Sequence, residues 1–100
     1  MELNKNINGN KATVYLEGRI DAKTAPDVQE ALLALPAEVK ALDLDFTAVD
    51  YISSAGLRMI MVVQQSYEDK SGSLKIMGAK DEIIEIFEVT GFTEFLDIEY

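Results

Sequence analysis

Two hydrophobic rhythms take turns along this chain, and their alternation limits the fold more than any other feature. Ala12, Val14 and Leu16 are separated by Thr13, Tyr15 and Glu17, the period-two pattern of a strand with one buried face. Val28, Ala31, Leu32 and Leu35 then recur at helical spacing. Leu42, Leu44 and Phe46 return to period two and put Asp43 and Asp45 on the opposite face, expected to be solvated. Residues 57–63 are apolar except for Arg58, which predicts a second helix buried nearly all round. Leu74-Lys75-Ile76-Met77 predicts a strand, Ile83, Ile84, Phe87 and Val89 a third helix, and residues 96–99 a closing strand. Ahead of these, residues 3–7 form an expected edge strand, joined to the next by the hairpin signal Asn8-Gly9-Asn10. The order is β-β-α-β-α-β-α-β. Strands separated by helices pair in parallel through right-handed crossovers, so the expected fold is α/β, a small mixed β-sheet with helices packed on it.

Local signals mark the helix ends. Thr24-Ala25-Pro26-Asp27 has a threonine to cap, a proline in the first turn and an acid at the third position, and Pro36 ends that helix. Ser71-Gly72 turns the chain out of the second helix, and Gly91-Phe92 predicts a Schellman stop for the third.

At 100 residues the chain has room for one modest core, so a single domain over 1–100 is expected. No apolar run approaches the roughly 20 residues that span a bilayer. The start, Met1-Glu2-Leu3-Asn4-Lys5, lacks an export pattern, and there is no cysteine, so a cytoplasmic protein is expected. Nine basic residues against 18 acidic ones give a net charge of −9. That field works against nucleic acid and anionic membrane and favours a partner with a basic contact surface. The absence of histidine removes a Ser-His-Asp triad and histidine-ligated metal. Gly56 stands alone rather than in a phosphate-binding loop, and nothing in the sequence brings Ser53 to Lys75 or Lys80. No catalytic residue, metal or cofactor is assigned, which leaves a binding module.

The run from Asp45 to Arg58 carries the chemistry. An extended segment rich in apolar and aromatic residues (Val49, Tyr51, Ile52) meets two serines, Ser53 and Ser54, where an apolar helix begins. A helix N-terminus offers unpaired N–H groups and partial positive charge. One serine suffices as a cap, and the second is then free for another role.

Tyr51-Ile52-Ser53-Ser54-Ala55-Gly56-Leu57-Arg58 resembles the signature of the STAS domain of bacterial anti-sigma factor antagonists. Gly18-Arg19-Ile20-Asp21-Ala22-Lys23-Thr24-Ala25 is similar to the family's strand exit and first-helix start, and Phe87-Glu88-Val89-Thr90-Gly91-Phe92 to its last helix end. The blocks stand in the family's order and span essentially the whole chain. The resemblance implies a switch. The unphosphorylated form binds an anti-sigma factor that is also a serine protein kinase and frees the sigma factor; phosphorylation ends the complex, and a phosphoserine phosphatase resets it. It implies no direct nucleic-acid or membrane contact. Alignment on Gly56-Leu57 makes Ser54 the acceptor, with Ser53 the alternative and the N-cap. Ser53 and Ala55 stand where better-known members have an aspartate and a hydroxyl residue. The resemblance also places Asp21, Ala22, Lys23 and Thr24 beside Ser53, Ser54, Ala55 and Gly56 as the partner-binding surface. Gly56 is expected to serve docking or packing, with docking favoured. Asp21 is read as a turn residue or as a carboxylate for a partner arginine, its loss costing affinity with little effect on the fold. The other function open to the family is an unphosphorylated scaffold subunit of a transporter or other regulatory complex. A monomer is expected, although an edge strand leaves self-pairing open.

Overall fold

Strands β1 (Glu2–Asn8) and β2 (Lys11–Ile20) form the opening hairpin, followed by α1 (Ala25–Leu33), β3 (Ala41–Ile52), α2 (Ser54–Asp69), β4 (Ser73–Met77), α3 (Asp81–Val89), a 3₁₀ turn (Phe92–Glu94) and β5 (Asp97–Glu99). The computed structural model describes residues Met1–Tyr100. The five strands lie in the order β1-β2-β3-β4-β5, β1 antiparallel to β2 and every other pair parallel, as the alternating rhythms imply. No helix is long and apolar enough to cross a membrane.

This strand order decides where the core sits. Each crossover steps the same way across the sheet with the same hand, so α1, α2 and α3 pack on one face. That face holds Ala12, Val14, Leu16, Leu42, Leu44, Phe46, Leu74 and Ile76, all at most 3% exposed. Phe46, Phe87 and Phe92 carry the packing from sheet to 3₁₀ turn, with ring centroids 6.1 Å apart at each step. The other face has no helix over it. It is not uniformly solvated, however. Asp43, expected on the wet side, is only 7% exposed. Thr13 and Lys75 flank it in register on the neighbouring strands, and Lys11 Nζ lies 3.2 Å from its Oδ2. Long side chains lying along a sheet shield its centre even without a second layer.

A one-sided sheet also changes the expectation for α2. Met61 and Val62, predicted to be buried, are 47% and 41% exposed. Met59, Ile60, Val63 and Tyr67 face the core instead. With sheet on one side and α1 on another, the outer face of α2 has nothing left to pack against.

The turns follow local chemistry. Gly9, at φ +65°, opens a two-residue loop between paired Asn8 and Lys11, the position where a type II′ turn takes glycine. Gly91 ends α3 at φ +80°, and the chain then coils into the 3₁₀ turn. The Schellman bonds are complete at α2: the Gly72 N–H donates to the Tyr67 carbonyl at 2.7 Å and the Ser71 N–H to that of Glu68 at 3.0 Å. Ser71 takes the left-handed position, φ +58°, because Gly72 is needed one residue later. A methyl group at Gly72 would run into the Lys40 carbonyl, which accepts from the Ser73 N–H at 2.7 Å.

Candidate functional site

The double-serine segment starts where β3 outruns its neighbour. Pairing with β4 stops at Asp45–Met77, but β3 continues along β2 to Ile52. Between Asp45 and Tyr51, β3 carries two extra residues relative to β2, and each offset resets which side chains face inward. Val49 and Ile52 therefore point into the core while Asp50 and Tyr51 point out. Tyr51 lies under the Arg19 guanidinium, 4.2 Å from ring centroid to Cζ. On the side that β4 has vacated, Lys80 Nζ donates to the carbonyls of Thr47 (3.1 Å) and Val49 (3.0 Å) and to Asp50 Oδ1 (3.3 Å). This ammonium replaces the missing strand and steadies the approach to the serines. Nothing in the sequence singles Lys80 out for that role, and so occupied it is no base for Ser53.

At the end of β3 the two serines part. Ser53 is extended (φ −95°, ψ 176°), and its Oγ accepts from the Gly56 N–H at 3.3 Å, the expected cap. Its own N–H donates to the Ile20 carbonyl at 2.9 Å. Ser54 is the first residue of α2, exposed, with its hydroxyl outside the capping arrangement. The amides of Ser54 and Ala55 have no helical partner, as in any first turn.

That bond to Ile20 places the end of β2 beside the serines, so the loop Asp21, Ala22, Lys23, Thr24 adjoins Ser53 and Ser54. Here the expected cap is reversed. Thr24 is in helical conformation and makes no side-chain cap bond; its Oγ1 accepts from the Asp21 N–H (2.9 Å) and donates to the Arg19 carbonyl (2.8 Å). Asp21 takes the capping role, its Oδ1 accepting from the N–H groups of Lys23 (3.0 Å) and Thr24 (3.1 Å). Those backbone bonds, Thr24 first, hold its carboxyl below the usual aspartate range. Asp21 thus has the turn-and-cap role, one of the two readings open to it, and its bonds hold the loop in place. Ala22 and Lys23 are exposed.

Gly56 is corrected in the same way. It is buried, and a methyl group there would lie 2.7 Å from Ile52 Cγ1, 2.8 Å from Ile20 Cγ2 and 3.1 Å from the Ile20 carbonyl oxygen. Close approach of α2 to the ends of β2 and β3 explains this glycine, not docking.

From Ser54 an exposed stripe runs down α2 through Arg58, Met61, Val62 and Gln65, at intervals of three and four residues. Alongside it a groove of about 480 Å³ separates α1 from α2, with Ala22, Ala25 and Pro26 on one wall and Ala55, Arg58 and Val62 on the other. An exposed hydroxyl at a helix N-terminus that favours anions heads a strip in which Met61 and Val62 lie between Arg58 and Gln65.

Comparison with known proteins agrees with this geometry. A family model described as "Mlab, STAS domain" matches residues 3–97. The anti-sigma-B factor antagonist of Listeria monocytogenes serovar 1/2a is 33% identical over 87 residues, covering 86% of this chain and 76% of that protein. An anti-sigma factor antagonist from Mycobacterium paratuberculosis superposes with a TM-score of 0.84 at 21% identity, covering 97% of this chain and 83% of that one. The Bacillus cell fate determinant SpoIIAA in its phosphorylated form superposes with a TM-score of 0.77 at 11% identity, covering 99% and 92%. These last two likenesses establish the shared fold, and the first two matches establish kinship. The chain belongs to the STAS-domain family of anti-sigma factor antagonists.

Proposed function

We propose that this protein is a partner switch thrown at Ser54. Unmodified, it binds an anti-sigma factor that is also a serine protein kinase and so frees the sigma factor; phosphorylated at Ser54, it lets that partner go, and a phosphoserine phosphatase restores it. The observation that carries this reading is the division of labour between the serines: Ser53 is committed to capping α2, while Ser54 stands exposed at the head of a surface with Met61 and Val62. Apolar side chains exposed on a helix beside a groove suit a protein partner. The exposed Ala22 and Lys23, with Asp21 and Thr24 holding their loop, extend that surface across the groove. A phosphate brings about −1.5 to −2 further charge, on a chain already at −9. At a helix N-terminus the fold tolerates it, so the effect falls on the partner through charge and bulk.

The test is phosphorylation by the cognate kinase with ATP, read by mass spectrometry, together with binding of Ser54 variants. Phosphate is expected on Ser54 alone, with Ser54→Ala unlabelled and binding constitutively and Ser54→Asp binding at least tenfold more weakly. Full labelling of Ser54→Ala would move the acceptor elsewhere, Ser53 first.

A further inference from the structure

The chain has two arginines, Arg19 and Arg58, and their surroundings differ. Arg19 is stacked on Tyr51 and lies beside Asp21, its Nε 3.9 Å from Oδ2. Arg58 takes part in none of the four ion pairs, although Glu30 lines the same groove. It follows Ser54 by four residues on α2, which puts the two side chains one turn apart on a single face, and both residues are exposed. Long helical side chains lean toward the N-terminus, so Arg58 covers the turn that begins with Ser54. An anion four residues ahead of a cation is also the favourable order for a helix pair. Of the other charged groups nearby, Lys80 is held by β3 and Asp21 by the amides of its own loop. Lys23, exposed on that loop, and Glu30, in the groove, are in no ion pair, but neither shares the helix face of Ser54 at four-residue spacing as Arg58 does.

Resting on the reading of Ser54 as the acceptor, we infer that Arg58 is the internal receptor for its phosphate. In the unmodified protein the Arg58 side chain lines the α1–α2 groove, where a carboxylate of the partner can meet it. Once Ser54 is phosphorylated, the guanidinium turns to the phosphate oxygens in a charge-assisted, two-pronged pair. The modification then acts twice on the docking face. It adds an anion at its head, and it withdraws the arginine from the groove beside it. No core residue has to move.

The test installs phosphoserine at position 54 during translation, so no kinase is needed, in the otherwise wild-type chain and in Arg58→Gln and Arg58→Lys. Phosphorus NMR then follows the second ionisation of the phosphate. It is expected at lowest pH with Arg58, next with Lys, and about 0.2 to 0.4 higher with Gln, the size of one exposed helix ion pair. The gap should shrink in 1 M NaCl. The helix N-terminus acts equally on all three and drops out of the difference. Identical titrations with Arg58 and with Arg58→Gln overturn the clamp. A kinase that ignores Ser54 would count against the switch and not against the clamp.

Discussion

The two ends of α2 each carry a serine and a tight glycine, and they are built for opposite purposes. At the C-terminal end everything is consumed internally. Ser71 is held in a left-handed conformation, Gly72 is pressed against the Lys40 carbonyl, and the last helical carbonyls are satisfied by the Schellman bonds. At the N-terminal end the strain is absent and the surface is left open. Ser53 has ordinary extended geometry, the contacts that hold the helix down lie beneath it at Gly56, and Ser54 faces solvent. Rigidity from below with freedom above is what the modification proposed at Ser54 needs. A helix end that only has to stop can use every group on itself.

The largest expected effect is at the closed end. Gly72→Ala puts a methyl group into backbone that cannot rotate away without losing the Ser73–Lys40 bond. Thermal melts should show a loss of about 2 kcal/mol or more, on the order of 10 °C for a domain of this size. Gly56→Ala should cost less, about 1 kcal/mol, because most of its contacts are side-chain carbons and alanine gains helix propensity. A Gly56→Ala protein more stable than wild type would break the argument that packing fixes this glycine.

Lys80→Met loosens the N-terminal end of α2 from the strand side. It should lower stability by about 1 kcal/mol and raise amide exchange at residues 49–53 while leaving residues 70–73 unchanged. Ser71→Gly relieves the left-handed serine and should stabilise the protein by about 1 kcal/mol with no effect on partner binding. The smallest effect is a pH dependence. The carboxyl of Asp21 is held below its unfolded value near 4, so the stability it contributes is fully present above that pH and fades as the pH falls through the folded value. Asp21→Asn should therefore melt a few degrees below wild type at pH 7 and converge with it in acid. A gap that persists in acid would show that the charge is not what the loop uses.

How much of this was legible in the sequence depended on how local each cause is. The strand order follows from alternating rhythms and short connections, and the Ser53 cap from a serine at the start of an apolar run. Asp21 and Thr24 are both good cap residues three positions apart, and the choice between them is made by the Arg19 carbonyl, which takes the threonine hydroxyl. The burial of Asp43 depends on Lys11 and Thr13 from one neighbouring strand and Lys75 from the other. The exposure of Met61 and Val62 depends on the sheet having one covered face, and a helix apolar nearly all round has no periodicity to reveal it. Gly56 looks like a local cost in the first helical turn; its reason lies at Ile52, four residues back, and at Ile20, on a strand distant in sequence.

The most direct test of the account is to map the docking face. With the ¹⁵N-labelled protein and its cognate anti-sigma factor, the predicted amide perturbations fall on residues 21–30 and 53–65, and they vanish when Ser54 carries phosphate. Perturbations centred on the bare sheet face around Tyr15, Asp43 and Lys75, or a footprint unchanged by the phosphate, would contradict it.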